Sequence, residues 1–529
     1  MRKNATMFLT SFAAVMMLAS CGTPTAASSA AKSSAAASSS AATSSSAISS
    51  STAPISSVPA SSSSTPVSSV PDDQKIVITY QSTTGKNTQP YLENYIAEFN
   101  AAYPQYKAVP SYYSGGYNEL EQDVIKGFSA GSYPDLVQCY PDHVADYLGY
   151  GKAVDLDPFI DSTDPAIGLS AEDKADYVTA FMDEGKNYSV SGTYSLPNCK
   201  STELMFWNKG ILNGLILNQE GHVINEGRAL NQAYFDTLTW EELFNNFCPA
   251  IVAYNDSLAA DAKILKTDQT YHSVFAYDSD DNLFITLAEQ YGYKYTSIDA
   301  TTGKGSADFN NDNMKALLKT FHDAANNGYI ISKGSAGGNY TNTYFTKQNT
   351  LFSVGSTGGV KYQFDDKNPM DVGVARIPHA AGKDPKVIMQ GPSLCVLSHG
   401  TDETAKAKEK GAYLLWKTMT TKANSLNWGL NSGYMCIRSS NYTDDAYVEA
   451  NDETTKDVKT LDRLMARSNT YTQKVLGEMY TSPVFLGSSS CRTSGAALMT
   501  YALTKGTYSD ADWTTHFDEQ YANAMKNIR

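Results

Sequence analysis

Histidine is scarce, seven in 529 residues, and none stands in the His-Glu-x-x-His spacing that puts two imidazoles on one helix face for zinc. No Gly-x-Ser-x-Gly turn is present to expose a nucleophilic serine. No Gly-x-x-x-x-Gly-Lys-Ser/Thr loop is present to cradle phosphates, and Gly334-Ser335-Ala336-Gly337-Gly338 is glycine-rich without that spacing. Paired carboxylates alone do not make a glycosidase, because their separation cannot be read from a sequence. Basic residues are outnumbered, 41 to 55, and the net charge of −14 argues against nucleic acid or anionic lipid as the main partner. Past residue 18 no apolar stretch approaches the ~20 residues that span a bilayer. Six cysteines follow Cys21, at 139, 199, 248, 395, 436 and 491, with no Cys-x-x-Cys among them. Their number permits disulfides without implying them, and apolar settings such as Leu394-Cys395-Val396-Leu397 favour free, buried thiols. No cofactor is expected.

What is present begins with a charged start, Arg2-Lys3, an apolar run over residues 7–18, and Leu18-Ala19-Ser20-Cys21. That order is a secretory signal, and its last four residues resemble the bacterial lipobox, in which the cysteine is acylated. Residues 22–71 are almost entirely Ser, Ala, Thr and Pro. Such a segment cannot bury enough apolar surface to offset the entropy of ordering. About 50 residues of such coil would span roughly 40 Å r.m.s.. The reading is a signal over 1–21, a disordered tether over 22–73, and a protein held by lipid at the extracytoplasmic face of the cell membrane.

From residue 76 the chain alternates. Ile76-Val77-Ile78-Thr79-Tyr80 is strand-like, and Pro90 opens a helix with Tyr91, Leu92, Tyr95, Ile96 and Phe99 on one face. A strand over 109–113, a helix over 117–128 and a strand over 136–140 follow, which suggests parallel βαβ units with ligand loops at 81–86 and 114–117. Thr239-Trp240-Glu241-Glu242 opens a further helix, and the periodicity predicts helices over 312–326 and 403–419. The fold class is α/β. The 35 tyrosines against 19 phenylalanines suit a polyol or sugar site, since each offers a stacking face and a hydroxyl.

Ordered motifs then become specific: Tyr91-Leu92 through Phe99-Asn100, Tyr103-Pro104, Gly116-Tyr117, Ala130-Gly131 and Pro134-Asp135, followed by Tyr194 through Thr202 and Trp207-Asn208-Lys209. Thr239-Trp240, Phe352 through Gly358, Gln390-Gly391-Pro392-Ser393-Leu394 and Ser432-Gly433-Tyr434 continue the series. Together they resemble family 1 extracellular solute-binding proteins, and among them the glycerol-3-phosphate and maltose types. The resemblance implies a type II-like periplasmic-binding-protein fold, two lobes joined by crossing strands near 196–202, 351–356 and 391–396. Lobe 1 would comprise 74–195 plus 354–393, and lobe 2 196–353 plus 394–529. It also implies a small-molecule ligand, saccharide or glycerol phosphate, passed by a monomer to ABC permease subunits. Residue by residue it points to Tyr117, Ser201, Ser356, Gly391, Tyr434 and Arg492 as ligand contacts. Where relatives place stacking tryptophans this chain has Tyr277-Asp278-Ser279-Asp280-Asp281-Asn282, which adds Asp278 and leans the ligand towards a neutral saccharide.

Alternatives weighed are a glycerol-3-phosphate or glycerophosphodiester binder and, in other classes, a lipid-anchored glycosidase, a surface adhesin or a sensor. Asp278, Asp280, Asn282 and Glu289 fall at positions 1, 3, 5 and 12 of a calcium loop, but position 6 is Leu283 and a helix start is the better reading, so no metal is assigned.

Overall fold

The computed structural model describes residues 70–528 except 220, 268 and 269. The signal, Cys21 and nearly all of the tether expectation lie outside the described residues. Asp72, placed in the tether, already pairs with Lys75 and Lys107 at 2.8 and 2.9 Å, so the folded body begins slightly earlier than expected.

The first lobe is built on β1 (Ile76–Ser82), α1 (Gln89–Ala102), β2 (Tyr106–Tyr112), α2 (Tyr117–Ala130), β3 (Leu136–Cys139) and α3 (Pro141–Gly149). Along β1, Ile78, Tyr80 and Ser82 point inward, the alternation of a strand with one buried face. Pro90 occupies the first turn of α1, and Leu92, Tyr95, Ile96 and Phe99 form its buried face. β4 (Leu196–Pro197) completes the passage to the second lobe, which starts with β5 (Glu203–Asn208), buried along its whole length. The second lobe adds β6 (Phe275–Tyr277), α4 (Asp280–Tyr291), α5 (Asp312–Asn326), β7 (Ile330–Ser332), β8 (Phe352–Ser356) and β9 (Val372–Ala375). β10 (Ser393–Val396) and α6 (Glu403–Met419) then return to the first lobe, and α7 (Leu461–Lys474), α8 (Ser488–Leu503) and α9 (Asp510–Met525) belong to the second.

The first sheet runs β2-β1-β3-β10-β4 and the second β7-β6-β8-β5-β9. β1 is parallel to β2 and β3, whereas β10 is antiparallel to β3 and β4. Each lobe has its own apolar core: one from Ile78 to Leu196 plus Leu394 to Ile437, the other from Leu204 to Ile388 plus Leu464 to Ile528. Trp416 illustrates the first: its ring is buried and its Nε1 donates to the Pro197 carbonyl at 2.9 Å. Burying such a side chain contributes about 1.5–3 kcal/mol.

These cores correct the expected lobe boundaries. Residues 354–393 were expected in lobe 1, yet β8 pairs antiparallel with β5 from Phe352↔Trp207 to Ser356↔Glu203, and β9 pairs with the other edge of β5. The chain therefore does not cross at 351–356. Residues 394–437, expected in lobe 2, pack on the first lobe; a Cβ on Gly411 of α6 would lie 2.7 Å from Ile78 Cδ1. The passages near 196–202 and 391–396 do exist, bridged by Ser201↔Gln390, and the third runs between Ile437 and Leu464.

The helices over 312–326 and 403–419 fall as expected. Thr239 caps its helix by accepting from the Glu242 N–H at 3.1 Å. The six cysteines from Cys139 to Cys491 are free and buried. Among the described residues no helix is long and apolar enough to cross a membrane.

Candidate functional site

A cleft of about 660 Å³ opens between the lobes. Its walls come from the carboxyl ends of first-lobe strands, from the crossing segments, and from the turn after β6, the start of α4, β8 and α8 of the second lobe. The structure brings all seven expected residues to it: Tyr117, Ser201, Asp278, Ser356, Gly391, Tyr434 and Arg492.

Tyr117 is the first residue of α2, and its ring lies 4.4 Å from that of Tyr140, centroid to centroid. Burial raises its phenol well above the usual tyrosine range, and the neighbouring Tyr434 phenol adds to this. Burial raises Tyr434 as well. Both remain neutral donors, suited to hydroxyl ligands. Tyr434 follows Gly433, which adopts φ +82°, and its ring lies flush on Gly358, where a Cβ would stand 2.5 Å away.

Several of the seven have structural duties at the site. Gly391 has φ +97°, and a Cβ there would meet the Lys200 Cα at 2.6 Å and the Ser201 N at 2.8 Å. Glycine is what lets the two crossing segments touch. Ser356 Oγ accepts from the Gly358 N–H at 3.2 Å, capping the turn Thr357–Gln363. Ser201 is buried and exchanges backbone hydrogen bonds with Gln390 at 2.8 and 2.9 Å.

Arg492 is committed to the protein. Its Nε donates to Asp142 Oδ2 at 2.9 Å, and its Nη1 to Asp281 Oδ2 at 3.0 Å and Asn282 Oδ1 at 2.7 Å. Burial works against its charge, but Asp142 and Asp281 outweigh it and hold the guanidinium protonated. In the acidic run, Asp278 and Asp281 line the cleft and Asp280 does not. Asp280 accepts from Ser332 Oγ, the Gly334 N–H and Thr500 Oγ1, which anchors the glycine-rich loop that starts at Gly334. Asp278 accepts from the Thr341 N–H at 2.8 Å and Thr341 Oγ1 at 3.2 Å, yet burial pushes its carboxyl up to about 6. The run opens α4 at Asp280, as the helix reading expected.

Sequence reasoning missed Tyr140 and Asp142, although both sit where β3 turns into α3, the strand-end position that the βαβ rule favours. It also missed Glu203, which is fully buried and accepts from the Tyr277 hydroxyl and from Asn282 Nδ2 at 3.0 Å. Burial pushes that carboxyl up to about 7. Lys200, buried in the crossing, pairs with Glu184 at the cleft and donates to Ser393 Oγ at 3.1 Å. Nothing in the local pattern marked these as partners.

Solved structures share this architecture at low identity. The GacH receptor of Streptomyces glaucescens, known with acarbose, aligns with a TM-score of 0.59 at 14% identity, over 86% of this chain and 99% of its own. UgpB from Mycobacterium tuberculosis, in complex with glycerophosphocholine, gives 0.61 at 16%, over 85% and 97%. The maltose-bound MalE3 of T. maritima gives 0.60 at 15%, over 85% and 99%. These likenesses bear out the two-lobed fold. No curated protein sequence matches the chain. The profile described as "Bacterial extracellular solute-binding protein" matches residues 94–456, more than half of the chain, which bears out the family resemblance. The chain therefore belongs to the bacterial extracellular solute-binding protein family.

Proposed function

We propose that the protein captures a carbohydrate in the interlobe cleft and delivers it to an ABC importer without transforming it. It would be held as a monomer at the extracytoplasmic face by a lipid on Cys21. Tyr117, Ser201, Ser356, Gly391, Tyr434, Arg492 and Asp278 would contact the ligand. The cleft falls in the ~300–1,000 Å³ range of small-molecule sites and combines tyrosine faces with carboxylates, the pairing that suits ring faces and hydroxyls. The observation that carries the choice of a saccharide over a phosphate is the state of Arg492. A guanidinium already shared by Asp142 and Asp281 has little left for a doubly charged phosphate monoester such as glycerol 3-phosphate, and Asp278 would repel it.

A thermal-shift screen of the full chain against mono- and oligosaccharides, glycerol 3-phosphate and glycerophosphodiesters tests this, since a ligand of the native state stabilises it by RT ln(1 + [L]/Kd). Stabilisation by saccharides is the expected result. Stabilisation by the phosphate compounds alone would contradict it.

A further inference from the structure

Among the described residues, burial lowers the basicity of two lysines, Lys361 and Lys417. Lys417 is compensated, donating to the carbonyls of Pro165, Ile167 and Gly168. Lys361 is not. It lines the cleft on the turn Thr357–Gln363 with no hydrogen bond or ion pair among the described residues, and its Nζ lies 5.5 Å from the Tyr362 ring centroid. Two residues on, Gln363 is 3% exposed and also lines the cleft, and its Oε1 is buried with no hydrogen-bond partner. Ser482 Oγ, in the same cleft, is likewise buried and unpartnered. Buried polar groups in folded proteins are almost always paired, so groups left unpaired in a cleft ask for a ligand.

The acids of the cleft do not answer Lys361. Glu184 is taken by Lys200, Asp142 and Asp281 by Arg492, and Asp278 by the backbone and hydroxyl of Thr341. Lys361 is thus the one charged residue of the cleft lining without a polar partner in the protein, among the described residues. We infer that Lys361 and Gln363 form a subsite for a single carboxylate on the saccharide, as on a uronic acid. The ammonium pairs with the carboxylate, and the Gln363 amide takes a neighbouring hydroxyl. One negative charge fits one free cation; a second would go unmatched, with Arg492 already engaged. The inference rests on the saccharide reading and adds the acidic class to it.

Calorimetry on the full chain tests it with three probes: a uronic-acid disaccharide, its neutral counterpart of the same linkage, and a glycerophosphodiester. Lys361→Met and Lys361→Arg are measured beside the wild type, with thermal unfolding as the check on folding. The acidic disaccharide should bind at least tenfold tighter than the neutral one. Lys361→Met should bring that ratio close to one, and Lys361→Arg should restore most of it. Equal affinity for both disaccharides would overturn the carboxylate subsite while leaving the saccharide reading intact, as would a ratio indifferent to Lys361→Met. Binding of the phosphodiester alone would overturn both.

Discussion

Asp142 of the first lobe and Arg492 of the second lie 2.9 Å apart, and their ion pair ties the lobes together across one wall of the cleft. The pair is part of a larger joint. α8 begins after Gly487, at φ +94°, and has no side-chain cap from its own segment. The start of the helix is held from the other lobe: Asp146 Oδ1 accepts from the Gly487 N–H at 3.0 Å, Asp146 Oδ2 from Ser489 Oγ at 2.7 Å, and Asp142 Oδ1 from Ser488 Oγ at 3.0 Å. Carboxylates near a helix amino terminus interact favourably with the helix dipole. These bonds run between the lobes, so opening the joint removes them from the start of the helix.

Asp146 is absent from the cleft lining, which separates joint from ligand contact. Asp146→Ala should cost about 1.5–3 kcal/mol, the range for hydrogen bonds to a charged group. It should also weaken ligand affinity without removing a ligand contact. Spin labels at exposed Lys126 and Lys347, one in each lobe, should show a broader and longer interlobe distance in the variant. An unchanged distance distribution would deny the joint its closing role.

A pH dependence follows from Glu121, buried behind this joint with Oε1 unpartnered. Burial, with Asp146 and Asp142 adding to it, pushes its carboxyl from 4.5 up to about 9. The folded state therefore holds a proton that the unfolded chain releases, so the stability from this group is complete below pH 4.5 and is lost as pH rises towards 9. Glu121→Gln, which needs no proton, should be more stable than the wild type at pH 8 by about 1–3 kcal/mol, and similar to it near pH 4. Chemical denaturation at both pH values checks the sign.

Gly391→Ala should lower stability by more than about 1 kcal/mol, because the new Cβ meets backbone rather than a side chain that can yield, at a φ that favours glycine. It should also weaken ligand binding, since the displaced segment carries the crossing that Ser201 and Gln390 bridge.

For the anchor, Cys21→Ser should release the protein from membranes of its native type of host. Fractionation with equal retention of variant and wild type would remove the lipid from the account.

Element types were largely legible in the sequence, because apolar spacing reports whether a segment is strand or helix: α5 and α6 coincide with their periodic stretches, and α1 starts one residue before Pro90 and runs three past Phe99. Partners were not. β8 pairs with β5, some 150 residues earlier, and no local pattern specifies that choice, so the crossing expected near 354 was misplaced and the segments on either side of 393 were given to the wrong lobes. The same holds at the site. Tyr117, Gly391 and Tyr434 could be carried over by motif, whereas Lys361 and Gln363 gain meaning only from where burial leaves them. Arg492 was found by motif, but its commitment to Asp142 and Asp281 depends on two lobes meeting.

The central claim is a saccharide held on tyrosine faces in the interlobe cleft, and calorimetry on Tyr117→Ala, Tyr434→Ala and Arg492→Ala tests it most directly. With the saccharide that stabilises the wild type most, each tyrosine variant should bind at least about tenfold more weakly, or about 1.4 kcal/mol, and lose more than Arg492→Ala does. Near-wild-type affinity in both tyrosine variants would contradict the account.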